Sequence, residues 1–353
     1  MYLIHRSILK EMLISFGISI VFLNSTLMME KLLRLSKIFA TVGATIEDVF
    51  KMLIYIQPQM LILTLPMALL LSTLLVFGRM NADNEITILR VSGISFFTIS
   101  RPVAYLGALC FLLSLFMSFY LGPKGGVALR EKVTEIISTR APLTIEEGIF
   151  NTAFKGIVIL VREKTDSMTM KGIFIIDDRN QDEQKILSAK QGSVLPIGDS
   201  LGFSLKEGNI YVFGKDVSTQ ISFGKYFFSL TPQIEYQRRT INEMTPKQLL
   251  IEAEKNPERK LSYILEYHRR FSMPAMCIII ILLGPSLGLM AGKSGRLGGL
   301  TIGFAVFGIY YTLLIYGENL AISNKIPHLL GAWGAFIILV LTSLSVAIKI
   351  NRR

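Results

Sequence analysis

The side chains that most often do chemistry are scattered in this sequence. His5, His268 and His328 stand on three different segments, with no cysteine or carboxylate at ligand spacing. No Gly-x-Ser-x-Gly elbow or His-Glu-x-x-His pair occurs. Gly288 to Ser294 looks at a glance like a phosphate-binding loop, but it is one residue short and follows an apolar run where a strand should stand. No cofactor, metal site or catalytic group is therefore expected, and any nucleotide belongs to another chain. What remains is charge in unusual places. Lys31, Arg34 and Lys37 step by three, so on a helix they cover an arc of about 120°; Arg269 and Arg270 form a second basic pair. Grouped ammonium and guanidinium groups suit phosphate oxygens. The competing reading is snorkelling to headgroups, with Glu30 paired to Arg34 at i, i+4.

Residues 79–93 carry the other candidate. Asp83 and Asn84 can cap a helix, Glu85 to Ser92 hold helical spacing, and Gly93 is a natural stop. So short a helix needs a packing partner. Ile86, Leu89 and Gly93 share a face, while Glu85 and Arg90, five apart, do not easily neutralise each other and are left for a partner. The segment is either a ridge gripped by a separate motor protein or an amphipathic loop on lipid headgroups.

The elements that position these groups follow from hydropathy. The 353 residues are 51% hydrophobic, with a mean hydropathy of +0.50, which excludes an ordinary soluble enzyme. Six runs reach bilayer length: Met12 to Met29, Met52 to Phe77, Val103 to Leu121, Phe271 to Met290, Leu297 to Tyr316 and Leu329 to Ile348. The first is too long for a signal peptide and lacks a cleavage site, so it reads as a retained span. Lys and Arg concentrate in the segments sharing a side with the N-terminus, which places both termini and residues 79–93 in the cytoplasm. Of the net charge of +11, residues 124–260 contribute almost nothing, with 20 basic against 18 acidic side chains. The excess sits at the spans, which argues against a nucleic-acid partner.

Between spans three and four the pattern changes to period two from Leu143 to Tyr236: Ile157, Ile159 and Val161; Phe174 and Ile176; Phe203 and Leu205; Ile210 and Val212; Ile221 and Phe223. Short strands at this spacing predict a sandwich or jelly roll whose apolar stripe is either core or a surface for acyl chains. Both cysteines, Cys110 and Cys277, lie in spans, so no disulfide holds the insertion. Gly122, Pro123, Gly125 and Gly126 close span three, and Lys124 to Arg140 reads as a short amphipathic helix. Gly299 and Gly303 give span five a small-xxx-small face for close helix contact. The expected fold is an α-helical membrane protein with six transmembrane helices plus an inserted all-β periplasmic jelly-roll domain. Its parts are residues 1–122 (helices one to three with a cytoplasmic coupling helix at 79–93), 123–267 (the jelly roll with flanking short helices) and 268–353 (helices four to six).

The stretch Leu65 to Ser95, LPMALLLSTLLVFGRMNADNEITILRVSGIS, and Glu266 to Arg296, EYHRRFSMPAMCIIIILLGPSLGLMAGKSGR, resemble the lipopolysaccharide export permeases of the LptF/LptG family, subunits of an ABC transporter. The resemblance covers essentially the whole chain. It implies a bacterial inner-membrane protein that moves lipopolysaccharide, and a cytoplasmic ABC ATPase dimer of the LptB type docking at Asp83, Glu85, Ile86, Leu89 and Arg90. It also implies a homologous second permease, here expected at Gly299 and Gly303, and a periplasmic bridge protein of the LptC or LptA type. Lys31 and Arg34 match a lysine and arginine implicated in lipopolysaccharide contact; Lys37, Arg269 and Arg270 join them as candidates. The Glu-Lys-x-x-Arg end of span one leans towards LptF. The rivals are a membrane-anchored periplasmic binding or scaffold protein and the permease of another ABC lipid or lipoprotein exporter.

Overall fold

The computed structural model describes residues 2–42, 45–140, 147–154, 156–166, 169–180, 183–197, 200–213, 218–230, 240–291 and 295–351. They form two compact units: Met1–Glu30, Ile54–Gly126 and Ile241–Arg353 in one, Lys31–Leu53 and Val127–Thr240 in the other. The division cuts through the first two helices, and the second unit ends before residues 241–267 rather than after them.

Among the described residues, six helices are long and apolar enough to cross a bilayer. In chain order the elements are α1 (Tyr2–Val42), α2 (Ile46–Ala82), α3 (Glu85–Val91), α4 (Phe96–Ile99), α5 (Arg101–Phe116), a π-helical turn at Met117–Leu121, α6 (Gly122–Arg140), α7 (Pro246–Lys255), α8 (Lys260–Ala291), α9 (Gly295–Ile322) and α10 (His328–Asn351). Burial sorts them. The apolar windows of α2 and α8 are each 67% buried against 17% for α1, so α2 and α8 are the centre of the helical unit and α1 lies at its edge. Their core joins Leu69, Leu70, Leu74 and Phe77 of α2 to Met276, Cys277 and Ile280 of α8. Thr245 caps α7, accepting from the Gln248 N–H while the Gln248 side chain accepts from the Thr245 N–H.

Two expectations change here. The glycine-rich segment does not close the third span; the helix continues through a π turn into α6. Its glycines serve close approach instead: a Cβ on Gly125 would collide with the Tyr55 carbonyl of α2, and one on Gly126 would lie 3.0 Å from the Glu243 side chain. Gly299 and Gly303, expected to face a second permease, face α2 of their own chain. A Cβ on Gly303 would come within 2.6 Å of Leu71, and one on Gly299 within 3.3 Å of the Leu74 carbonyl.

Among the described residues, the second unit contains six antiparallel strands paired strictly in sequence order: β1 (Phe150–Phe154), β2 (Ile157–Lys164), β3 (Thr169–Asn180), β4 (Glu183–Ile197), β5 (Ser200–Phe213) and β6 (Ser218–Leu230). The expectation of an inserted antiparallel domain holds, but the described strands run as a meander, without the crossover a jelly roll implies. Cross-strand register aligns Ile159, Ile175, Leu187 and Ile210 in one row, all buried. On β3 the inward pair is Ile173 and Ile175, one position off the expected Phe174 and Ile176. Four consecutive apolar residues there leave period two without a preferred frame. Asp177 ends that face, buried and bonded to Arg179 through Nε at 2.7 Å and Nη2 at 2.6 Å.

Candidate functional site

The first site is built where α1, α2, α3, α4 and α8 meet. α2 ends at Ala82, so the expected 79–93 helix is shorter, Glu85–Val91. Asn84 precedes it in the left-handed region, φ 59°, and its side chain makes no cap. Asparagine tolerates that conformation, and here it turns the chain sharply from α2 into α3. Gly93, φ 83°, stops the helix as expected, with its N–H bonded to the Arg90 carbonyl at 3.0 Å. Ser95 then caps α4 by accepting from the Thr98 N–H.

Arg79 holds this turn together. Its guanidinium donates to both oxygens of Glu11 on α1, at 2.6 Å and 2.8 Å, to Glu85 Oε1 on α3 at 2.7 Å, and to Asp83 Oδ2 at 3.0 Å. One planar fork thus fastens α3 to α1 and α2. Asn81 Nδ2 donates to the Leu289 carbonyl of α8, and the His5 ring lies 3.0 Å from the Thr98 carbonyl. Glu85 is consequently not left over for a partner: its counter-charge comes from α2, six residues back, rather than from Arg90. Ile86 is 2% exposed and joins the helical core, with Leu89 packed against it. The outward face is a different set, Thr87, Ile88, Arg90 and Val91, with Ile88 62% and Val91 85% exposed.

The second site lies about 30 Å away along α8. A cavity of about 280 Å³ is lined by Gln59, Ser118, Glu266, Arg269, Arg270 and Tyr311, among others. Ser118 sits on the π turn, a feature that often marks a functional position. The neighbouring arginines differ. Arg270 is 5% exposed and donates to Glu266 and to the carbonyls of Ile241 and Asn242. Arg269 is more open and lies 3.7 Å from Glu318, whose Oε1 is buried with no hydrogen-bond partner among the described atoms. Lys31, in the second unit, is half-buried; the side chains of Arg34 and Lys37 lie outside the described residues, as does the Gly292 to Ser294 segment. Among the described residues no three His, Cys, Asp or Glu side chains converge as a metal site requires.

Glu11 and Arg79 escaped the sequence reading. Glu11 stands just before the first apolar run, beside Lys10, so no local pattern singles out Arg79 as its partner.

The sequence profile of the family described as "Lipopolysaccharide export system permease LptF/LptG" matches residues 6–349. "Uncharacterized protein RP871" of Rickettsia prowazekii is 24% identical over 258 residues, 69% of this chain and 72% of that one. "Lipopolysaccharide export system permease protein LptF" of Escherichia coli K12 is 24% identical over 122 residues, 35% of this chain and 33% of its own length. The match to LptF of Shigella flexneri has the same extent and identity. The chain thus aligns with about a third of the LptF proteins it resembles.

Proposed function

The chain belongs to the lipopolysaccharide export permease family LptF/LptG, and from that premise we propose that it is an LptF-like subunit of an ABC transporter that draws lipopolysaccharide from the bacterial inner membrane. In this reading both termini and α3 are cytoplasmic and the β-unit, in the periplasm, receives the lipid. α3 is the handle for a separate ATPase dimer. The observation that carries this is its double character. Ile88 and Val91 stand out as an apolar ridge, while Arg79 fastens the same seven-residue helix to α1 and α2. A helix merely resting on headgroups has no need of that tether. Force applied to the ridge reaches α1 through Glu11, and α1 is the edge helix best placed to move.

Lipopolysaccharide phosphates are received by Lys31, Arg34 and Lys37; Arg269, which lines the 280 Å³ cavity of the helical unit, is a separate candidate. Arg270, already committed to Glu266 and the carbonyls of Ser118, Ile241 and Asn242, supports that wall. With Gly299 and Gly303 filled from within, the second permease meets the exposed faces of α1 and α9, where Ile18, Val21, Ile309 and Tyr316 are open. The bridge protein adds to β6, an edge strand that carries the continued apolar row at Ile221, 50% exposed.

Co-purification tests the handle. With the ATPase expressed alongside, Ile88→Asp with Val91→Asp should release it while leaving the chain folded. Retention of the ATPase by this variant would return α3 to a lipid-surface role or make the chain an anchored binding protein.

A further inference from the structure

A groove of about 370 Å³ lies between the α3–α4 link and α8. Its lining brings Arg90 and Arg101 together with the apolar Phe97, Ala104, Leu282 and Pro285. No carboxylate lines it, and among the described residues neither arginine makes an ion pair, although both are exposed. The contrast with Arg79 is sharp. Glu11, Asp83 and Glu85, the acidic groups at this end of the unit, are all spent on that one guanidinium. Two positive charges are therefore left facing a groove whose other side continues along the membrane-spanning parts of α5 and α8, where Leu282 is 42% exposed.

A ligand that fills this shape carries negative charge at one end and hydrocarbon at the other. Free phosphate would satisfy the arginines and leave the apolar side wet. A protein docking on α3 would meet Thr87, Ile88, Arg90 and Val91, of which Arg90 alone lines the groove, and it would leave the apolar side formed by Ala104 and Leu282 unfilled. We infer that the groove seats an anionic phospholipid from the leaflet on α3's side, its phosphate between Arg90 and Arg101 and the start of an acyl chain along Ala104 and Leu282. Guanidinium pairs hold phosphate oxygens in a fixed plane, and the bound lipid bridges α3 to α5 across Gly93. Lipid binding does not depend on α3 being a handle; if it is one, its angle is set partly by the lipid beneath it.

The purified full chain is to be carried in phosphatidylcholine nanodiscs containing a minor fraction of phosphatidylglycerol, and the retained lipid counted by native mass spectrometry. Wild type should keep phosphatidylglycerol in preference to phosphatidylcholine. Arg90→Gln with Arg101→Gln should weaken that preference by at least tenfold, at about fivefold per arginine near a membrane surface. Arg6→Gln with Lys10→Gln removes the same charge outside the groove and should leave it intact. Ala104→Trp fills the groove without touching charge and should also lose the lipid. An equal loss in both charge pairs, or retention by Ala104→Trp, overturns the proposal in favour of general surface attraction. Displacement of the lipid by equimolar inorganic phosphate overturns it in favour of a soluble anion. Displacement on adding the ATPase shows that the groove is a protein contact instead. Loss of the ATPase by Ile88→Asp with Val91→Asp is a separate result and bears only on the handle.

Discussion

Arg79 shows how much one side chain can organise. It serves three carboxylates from three elements with one guanidinium, and its removal leaves Glu11, Asp83 and Glu85 as clustered like charges. Hydrogen bonds to charged groups contribute about 1.5–3 kcal/mol each, and partial exposure puts these at the low end. Arg79→Ala should therefore speed hydrogen exchange of the α3 amides about tenfold, and Arg79→Lys, which keeps a point charge but not the fork, should recover only part. The two neighbouring arginines of α8 separate by the same reasoning. Arg270→Gln leaves Glu266, 16% exposed, without its cation, and should lower thermal stability by roughly 3–5 kcal/mol. Lys31→Gln with Arg34→Gln should instead reduce crosslinking to lipopolysaccharide with little change in melting temperature, whereas Arg269→Gln, which also takes the cation from Glu318, 14% exposed, should reduce crosslinking and lower the melting temperature as well.

At the scale of elements, the helices with the simplest physics were the most legible. Six apolar runs of bilayer length could be nothing else, and the stop at Gly93 is a local signal that no tertiary contact overrode. Where packing decides, the residues alone did not suffice. Gly122 to Gly126 has the composition of a helix terminator, but contacts with Tyr55 and Glu243 give those glycines a different use. The Gly299–Gly303 face is a contact face, as read, but no spacing rule says whether its partner is α2 or another chain. The docking residues split the same way: the α3 segment was found, yet Ile86 and Leu89 proved to be its inward side. Glu85 had its counter-charge in the preceding helix, beyond any i, i+4 rule. Gly303→Val should thus cost about 1–3 kcal/mol of overpacking against Leu71, seen as a lower melting temperature of the isolated chain. In the β-unit, burial raises the Asp177 pKa, but Arg179's hydrogen bonds outweigh it and hold the folded value below the usual carboxylate range. The stability this contributes is full above the unfolded pKa and is lost as pH falls through the folded one. Hydrogen exchange at the Asp177 end of β3 should therefore accelerate only on acidification below that range, and Arg179→Ala should move the acceleration to higher pH.

For the molecule as a whole, the proposed function is a division of labour. A helical unit with buried central helices supplies a stiff frame, α1 and its tether to α3 supply motion, and the β-unit accepts what is moved. No acid–base or nucleophilic group is asked to do anything. In the proposed function the work comes from an ATPase gripping Ile88 and Val91, and the measurement closest to that proposal is ATP-driven release of lipopolysaccharide from proteoliposomes holding this chain, its partner permease and the ATPase, with the bridge protein as acceptor. Wild type should release lipid in step with ATP hydrolysis, and Ile88→Asp with Val91→Asp should abolish release while the two permeases stay paired. Release at the wild-type rate by that variant would contradict the account.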